Sequence, residues 1–230
     1  MTPDPQQLVL NLPHRSALGL EDFLVSGSNG TAIELIDGAV AWPNGAALVV
    51  GPVGSGKSHL AHVWRAKTQA VRLIAAEASE AAVQEAAAKR AVVVEDLDQG
   101  IADEAALFHL LNMARQGKAL VLFTSQQAPG DLAIELADLR SRVRALPIAQ
   151  IAPPDEALLQ AVLVKLFLDR QLVVEPDVIG YLVVRMERSM AAANEIAAEV
   201  DRLGLAMRRR ITKQLAQTAL KNLENRRTGS

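Results

Sequence analysis

Eight consecutive residues, Gly51-Pro52-Val53-Gly54-Ser55-Gly56-Lys57-Ser58, carry the densest chemistry in this chain. They match the pattern G-x-x-x-x-G-K-[ST], in which glycines let backbone N–H groups curl around phosphate oxygens. A helix opening at Lys57 would point its positive end at the same phosphates. Lys57 is then in reach of the β- and γ-phosphates, and the Ser58 hydroxyl in reach of Mg²⁺. The competing reading is a glycine-rich turn without a ligand.

Further along, Val92-Val93-Val94 runs into Glu95 and Asp96. Two acids at the end of an apolar strand suit a site where one carboxylate helps hold the metal and the next orients an attacking water. The more usual order in such sites is Asp then Glu, and the reversal predicts slow hydrolysis. Thr124, Ser125 and Gln126 close another apolar run, and Ser125 is the candidate to touch the γ-phosphate or the lytic water. Leu139-Arg140-Ser141-Arg142-Val143-Arg144 sets arginines at alternating positions. They form either a solvated face with weak surface pairs or an arginine finger serving phosphoryl transfer in a neighbouring subunit.

These groups need elements to hold them. Ala46–Gly51 reads as a buried strand and 57–67 as the helix after it. Val71–Ala75, Ala91–Glu95 and Ala119–Thr124 read as further strands, with helices over 79–89 and 104–116 between them. Short apolar runs alternating with helices predict an α/β fold, a parallel sheet covered on both faces. The pattern changes at Ile151-Ala152-Pro153-Pro154-Asp155, where two prolines and an acid mark a break and a helix start. Helical patterns then fit 155–170, 176–187, 189–208 and 212–222. The expected domains are an extended tail over 1–20, an α/β core over 21–150 and a helical lid over 151–230.

Composition narrows the function. The chain has 230 residues, half of them hydrophobic and 22% charged, which excludes global disorder. Only 3% are aromatic, so the core must be aliphatic and alanine-rich. A net charge of −2 argues against a strongly basic nucleic-acid surface. The absence of cysteine excludes disulfides, thiolate metal sites and cysteine nucleophiles. No apolar run is long enough to span a membrane, and the N-terminus lacks the basic start and apolar stretch of a signal peptide. The expected location is the cytoplasm. His59 and His62 lie three apart without a completing carboxylate, so they do not read as a metal site.

Together these pieces resemble the AAA+ ATPases, and within them the DnaA branch. Phe23-Leu24-Val25-Ser26-Gly27-Ser28-Asn29 looks like the segment that precedes the core and packs on adenine, which marks Phe23, Val25 and Asn29 as nucleotide-binding. Gly51–Leu60 is similar to the branch's P-loop, His59 included. Leu122-Phe123-Thr124-Ser125 looks like its first sensor, and Leu139–Val143 like its arginine-finger box, with Arg142 as the finger. The resemblance implies ADP or ATP as ligand, with Mg²⁺ held by Ser58, Glu95 and Asp96. A C-terminal DNA-reading domain is not expected here, which is the architecture of the short, Hda-like paralogues that inactivate the initiator. In these a peptide docks on the replication sliding clamp, and Gln7-Leu8-Val9-Leu10-Asn11-Leu12 is similar to it. Gln7 would hydrogen-bond a pocket rim while Leu8, Leu10 and Leu12 fill an apolar groove.

DnaA relatives also place an arginine in the lid against the nucleotide. The alignment sets Ala191 there, with Arg188 a helical turn earlier as a substitute. The resemblance therefore implies a regulator that holds nucleotide and promotes hydrolysis in DnaA through Arg142. It would be clamp-docked, a possible homo-oligomer, and in contact with DNA only indirectly. Two other readings remain open: an autonomous or helicase-loader-like AAA+ ATPase, and a clamp-binding scaffold that nucleotide merely stabilises.

Overall fold

The structure, a computed structural model, describes residues 24–207 and 210–228. Gln7, Leu8, Leu10, Leu12 and Phe23 lie outside the described residues. A first helix, α1 (Gly30–Asp37), leads into five strands and four helices. In order these are β1 (Ala46–Val50), α2 (Lys57–Thr68), β2 (Val71–Ile74), α3 (Glu80–Ala87), β3 (Ala91–Glu95), α4 (Glu104–Arg115), β4 (Leu120–Ser125), α5 (Ala137–Arg144) and β5 (Ile148–Gln150). Four more helices follow: α6 (Glu156–Asp169), α7 (Pro176–Arg185), α8 (Met190–Met207) and α9 (Lys213–Thr228).

The strands pair in parallel in the order β2-β3-β4-β1-β5. A parallel sheet needs crossovers, and its strands are buried on both faces. Strand alternation sorts the side chains. Leu48, Val50, Val92, Val94, Val121 and Phe123 turn to the face covered by α3, α4 and α5. Ala47, Val49, Ala91, Val93 and Leu122 turn to the face covered by α1 and α2. The step from β1 to the far strand β2 uses one face and the return steps through α3 and α4 use the other, as right-handed crossovers require. The lid helices α6–α9 close around an aliphatic core of their own, including Leu163, Phe167, Leu182, Ile196 and Leu215.

Side-chain caps fix several helix starts. Ser79, Asp103 and Asp155 accept from the backbone N–H three residues on, at α3, α4 and α6. The sequence reading did not contain α1, α5 or β5. For β5 the reason is length: three residues between prolines carry no periodic signal. For α5 the arginines concealed the pattern, because Leu139 and Val143, four apart, are the residues that bury.

Among the described residues no helix is long and apolar enough to cross a membrane.

Candidate functional site

The carboxyl ends of β1, β3 and β4 meet at one edge of the sheet, the usual ligand crevice of open α/β folds. The loop after β1 is pinned there. Gly51 N–H donates to Ser125 O at 3.1 Å, and Ile151 N–H to Val50 O at 2.7 Å. Gly54 and Gly56 hold φ of +73° and +107°, backbone that side-chain-bearing residues rarely adopt. α2 then starts at Lys57, so its free N–H groups open toward the loop.

Lys57 is only 7% exposed. Its Nζ donates to Gly51 O at 2.6 Å and Pro52 O at 3.0 Å, so the ammonium lies inside the loop it would share with a phosphate. Burial pulls its pKa below the ordinary lysine value, while Asp98 and then Asp96 oppose the shift. The Ser55 hydroxyl is buried in the same loop and bonds to no described group, an unsatisfied donor facing the cradle. Pro52, Val53, Ser58 and His59 are exposed around it.

The acids divide. Glu95 is 4% exposed and lies on the α2 face, but its carboxylate is gripped by Arg72 of β2. Arg72 Nε reaches Oε1 at 2.9 Å and Nη2 reaches Oε2 at 3.3 Å. Both oxygens are thus engaged by Arg72, and a role of Glu95 toward metal or water would need that pair to open. Asp96 adopts φ +60° and its N–H donates to Thr124 Oγ1 at 3.2 Å. Asp98, which sequence reasoning missed, is the strongest charge acting on Lys57. Burial would raise its carboxyl, but hydrogen bonds from the Gln126 N–H and the Gln99 amide outweigh that and hold it below the usual range. Its signal was an acid two residues past a paired-acid strand end.

Ser125 ends β4 beside the phosphate loop. It is fully buried, and its hydroxyl donates to Gln127 O at 2.9 Å and accepts from Gln127 N–H at 3.0 Å, shaping its own turn. Among the described residues no group of three or more acidic or histidine side chains gathers as a metal cage. Mg²⁺ accompanying a nucleotide needs only one or two protein oxygens besides phosphate and water. Ser58, Asp96 and Glu95 are the residues that would be asked for such oxygens, and Glu95 would first have to leave Arg72.

Beside the loop, a cleft of about 290 Å³ runs between the core and the lid. Leu24, Asn29, Gly56 and His59 form one wall, and Leu158 and Val162 of α6 face them. Val25 packs partly buried behind the wall. Asn29 shapes the wall through its backbone: its Oδ1 accepts from Ser26 N–H at 2.8 Å and its Nδ2 donates to Leu24 O at 2.9 Å. The lid touches the loop itself, where Met190 N–H donates to Gly54 O at 2.9 Å. Arg188, the proposed substitute for the lid arginine, sits in the turn before α8 and pairs with Glu156 of α6. It is not on a helical face shared with the exposed Ala191.

Arg142 is elsewhere. Helical spacing puts Arg140 and Arg144 on one side of α5, where they donate to Ile134 O and Gly130 O. Arg142 instead lies over the Phe108 ring of α4, 4.7 Å from its centroid. It shares a cavity with Asn44 and Ala46, at the start of β1, whereas the phosphate loop follows the end of that strand.

No family model matches the chain. Solved structures do. Domain III of the Thermotoga maritima replication initiation protein DnaA superposes with a TM-score of 0.73 at 18% identity, over 87% of this chain and 94% of that one. The fold is the one these structures share, a five-stranded parallel sheet with flanking helices followed by a helical bundle. AMPPCP-bound DnaA from Aquifex aeolicus gives 0.65 at 18% identity, over 82% of this chain and 65% of that one. The Thermotoga maritima RuvB Holliday junction branch migration motor gives 0.68 at 15%, over 86% and 70%. α6–α9 follow the α/β part as a helical lid, which meets the loop after β1 at Gly54.

Proposed function

We propose that the chain is a nucleotide-binding AAA+ regulator of replication initiation. It holds ADP or ATP with Mg²⁺ between the phosphate loop and the lid, docks on the sliding clamp through Gln7–Leu12, and offers Arg142 to the nucleotide of DnaA. The observation that carries this reading is the placement of Arg142. Arg142 lines a cavity with Ala46, at the amino end of β1, while the chain's own phosphate loop follows the carboxyl end, which favours a role toward a nucleotide held by another molecule. The grip of Arg72 on Glu95 adds weight, because it predicts weak hydrolysis of the chain's own nucleotide.

The likeness to DnaA supports the choice of partner, and two of the matched DnaA structures are described as bound to AMPPCP. In this mechanism Lys57 leaves the Gly51 and Pro52 carbonyls for phosphate, Ser55 gains an acceptor, and the lid stays seated on the loop through the bond from Met190 N–H to Gly54 O. The likeness to the RuvB motor favours an autonomous ATPase as the second reading.

The test is phosphate release from ATP-loaded DnaA, with and without this protein and DNA-loaded clamp. Stimulation that requires the clamp and is abolished by Arg142→Ala is the expected result. Absence of stimulation by a folded, nucleotide-bound protein overturns the regulator reading. Strong hydrolysis by the chain alone, raised by DNA, establishes the motor reading instead.

A further inference from the structure

The cavity that contains Arg142 contains a second arginine. It measures about 390 Å³ and lies between the end of α4 and α5, lined by Asn44, Ala46, Arg115, Asp138, Ser141 and Arg142. Arg115 is the last residue of α4 and is exposed. Neither arginine has an ion-pair partner among the described residues, although both sit in a molecule with slightly more acids than bases. Asp138, in the first turn of α5, is the one carboxylate on the cavity. The three charges leave it a net positive lining, with the Ser141 hydroxyl and Asn44 amide as neutral hydrogen-bonding groups.

Such a lining suits a compact, multiply charged anion more than an acidic side chain. A guanidinium presents several N–H donors in a fixed fork, and two guanidinium-bearing residues on one cavity can match the several oxygens of a terminal phosphate. Phe108 limits the freedom of the Arg142 guanidinium by covering one of its faces. Arg115 has no such support among the described groups, so its charge is free to swing to whatever enters.

We propose that Arg115 is a second cationic contact, acting with Arg142 in this cavity on the terminal phosphate of a nucleotide held by the partner molecule. Asp138 sets the affinity of that contact by opposing the same anion. The inference rests on the reading of Arg142 as a finger in trans, and goes beyond it in assigning Arg115 and Asp138.

The experiment measures stimulated hydrolysis by ATP-loaded DnaA on DNA-loaded clamp, separating the maximal rate from the half-saturating concentration. It also measures binding of ATP-loaded and ADP-loaded DnaA. Arg115→Gln should lower the maximal rate about 10- to 100-fold, the range for one hydrogen bond to a charged group. Arg115→Lys should recover part of it. Asp138→Asn should strengthen binding of the ATP form about two- to fivefold. The chain's own nucleotide affinity is the folding control, since that site lies at the other end of β1.

An unchanged rate with Arg115→Gln, while Arg142→Ala abolishes stimulation, overturns the assignment of Arg115 and leaves the regulator reading standing. Equal weakening of the ATP-loaded and ADP-loaded forms also overturns it, because the contact would then be with protein surface. If Arg142→Ala itself is silent, the regulator reading fails first and this inference with it.

Discussion

Gly54→Ala tests whether the lid rests on the phosphate loop. At φ +73° an added Cβ would stand 2.5 Å from the Cβ of Ser189, closer than real side chains approach. Ser189 cannot yield easily. It is 4% exposed and caps α8, its Oγ accepting from Ala192 N–H at 3.0 Å. Two effects add. Left-handed backbone costs an alanine about 1–2 kcal/mol relative to glycine. Pushing Ser189 away also breaks the bond from Met190 N–H to Gly54 O and strains the cap, about 2 kcal/mol more. Gly117→Ala separates the two effects, because Gly117 has nearly the same φ, +69°, and no atom within 4 Å of a built Cβ. In thermal melts without nucleotide, Gly54→Ala should fall below Gly117→Ala by about 4–8 °C. Its nucleotide affinity should fall at least about tenfold, the equivalent of about 1.4 kcal/mol. If the two variants melt together, Ser189 is not seated on Gly54 in solution and the lid does not rest on the phosphate loop.

Glu199 of α8 is buried and meets Arg202, Asn222 and Arg226, with Arg202 at 2.6 and 2.9 Å, which holds its carboxyl at about 2. A depressed carboxylate stabilises the fold above its unfolded value of 4.5 and loses that contribution as pH falls toward 2, so denaturant titrations should show up to about 3 kcal/mol lost across that window, and Glu199→Gln should flatten the dependence. Arg72→Met strands the buried Glu95 and should cost about 2 kcal/mol at pH 7 by urea unfolding, with the double change Arg72→Met and Glu95→Leu recovering most of it; no loss would mean that the pair is absent in solution. Phe108→Leu removes the ring under Arg142 and should lower DnaA stimulation about two- to fivefold at unchanged clamp binding, measured by phosphate release, whereas an unchanged rate would mean the ring does not position the finger.

What was legible in the sequence is what local physics writes there. Val92-Val93-Val94 reads as a strand buried on both faces because its run is unbroken, and the phosphate loop reads as one because its glycines and lysine must be adjacent to work. Asp155 announces a helix start because a cap acts within three residues. Tertiary structure decided the rest. Arg72 reaches Glu95 only because β2 lies beside β3, so no motif in the strand end shows that its first acid is occupied. The charge of Asp98 acts on Lys57 across segments 41 residues apart, and Ser189 meets Gly54 from the turn before α8. Arg142 looked equivalent to Arg140 and Arg144 by spacing along the chain. The helical turn of α5 and the ring of Phe108 set it apart, and the depth of β1 separates it from its own phosphate site. Side-chain identity is local, but which partner a charge finds depends on which elements pack together, and that is a property of the whole chain.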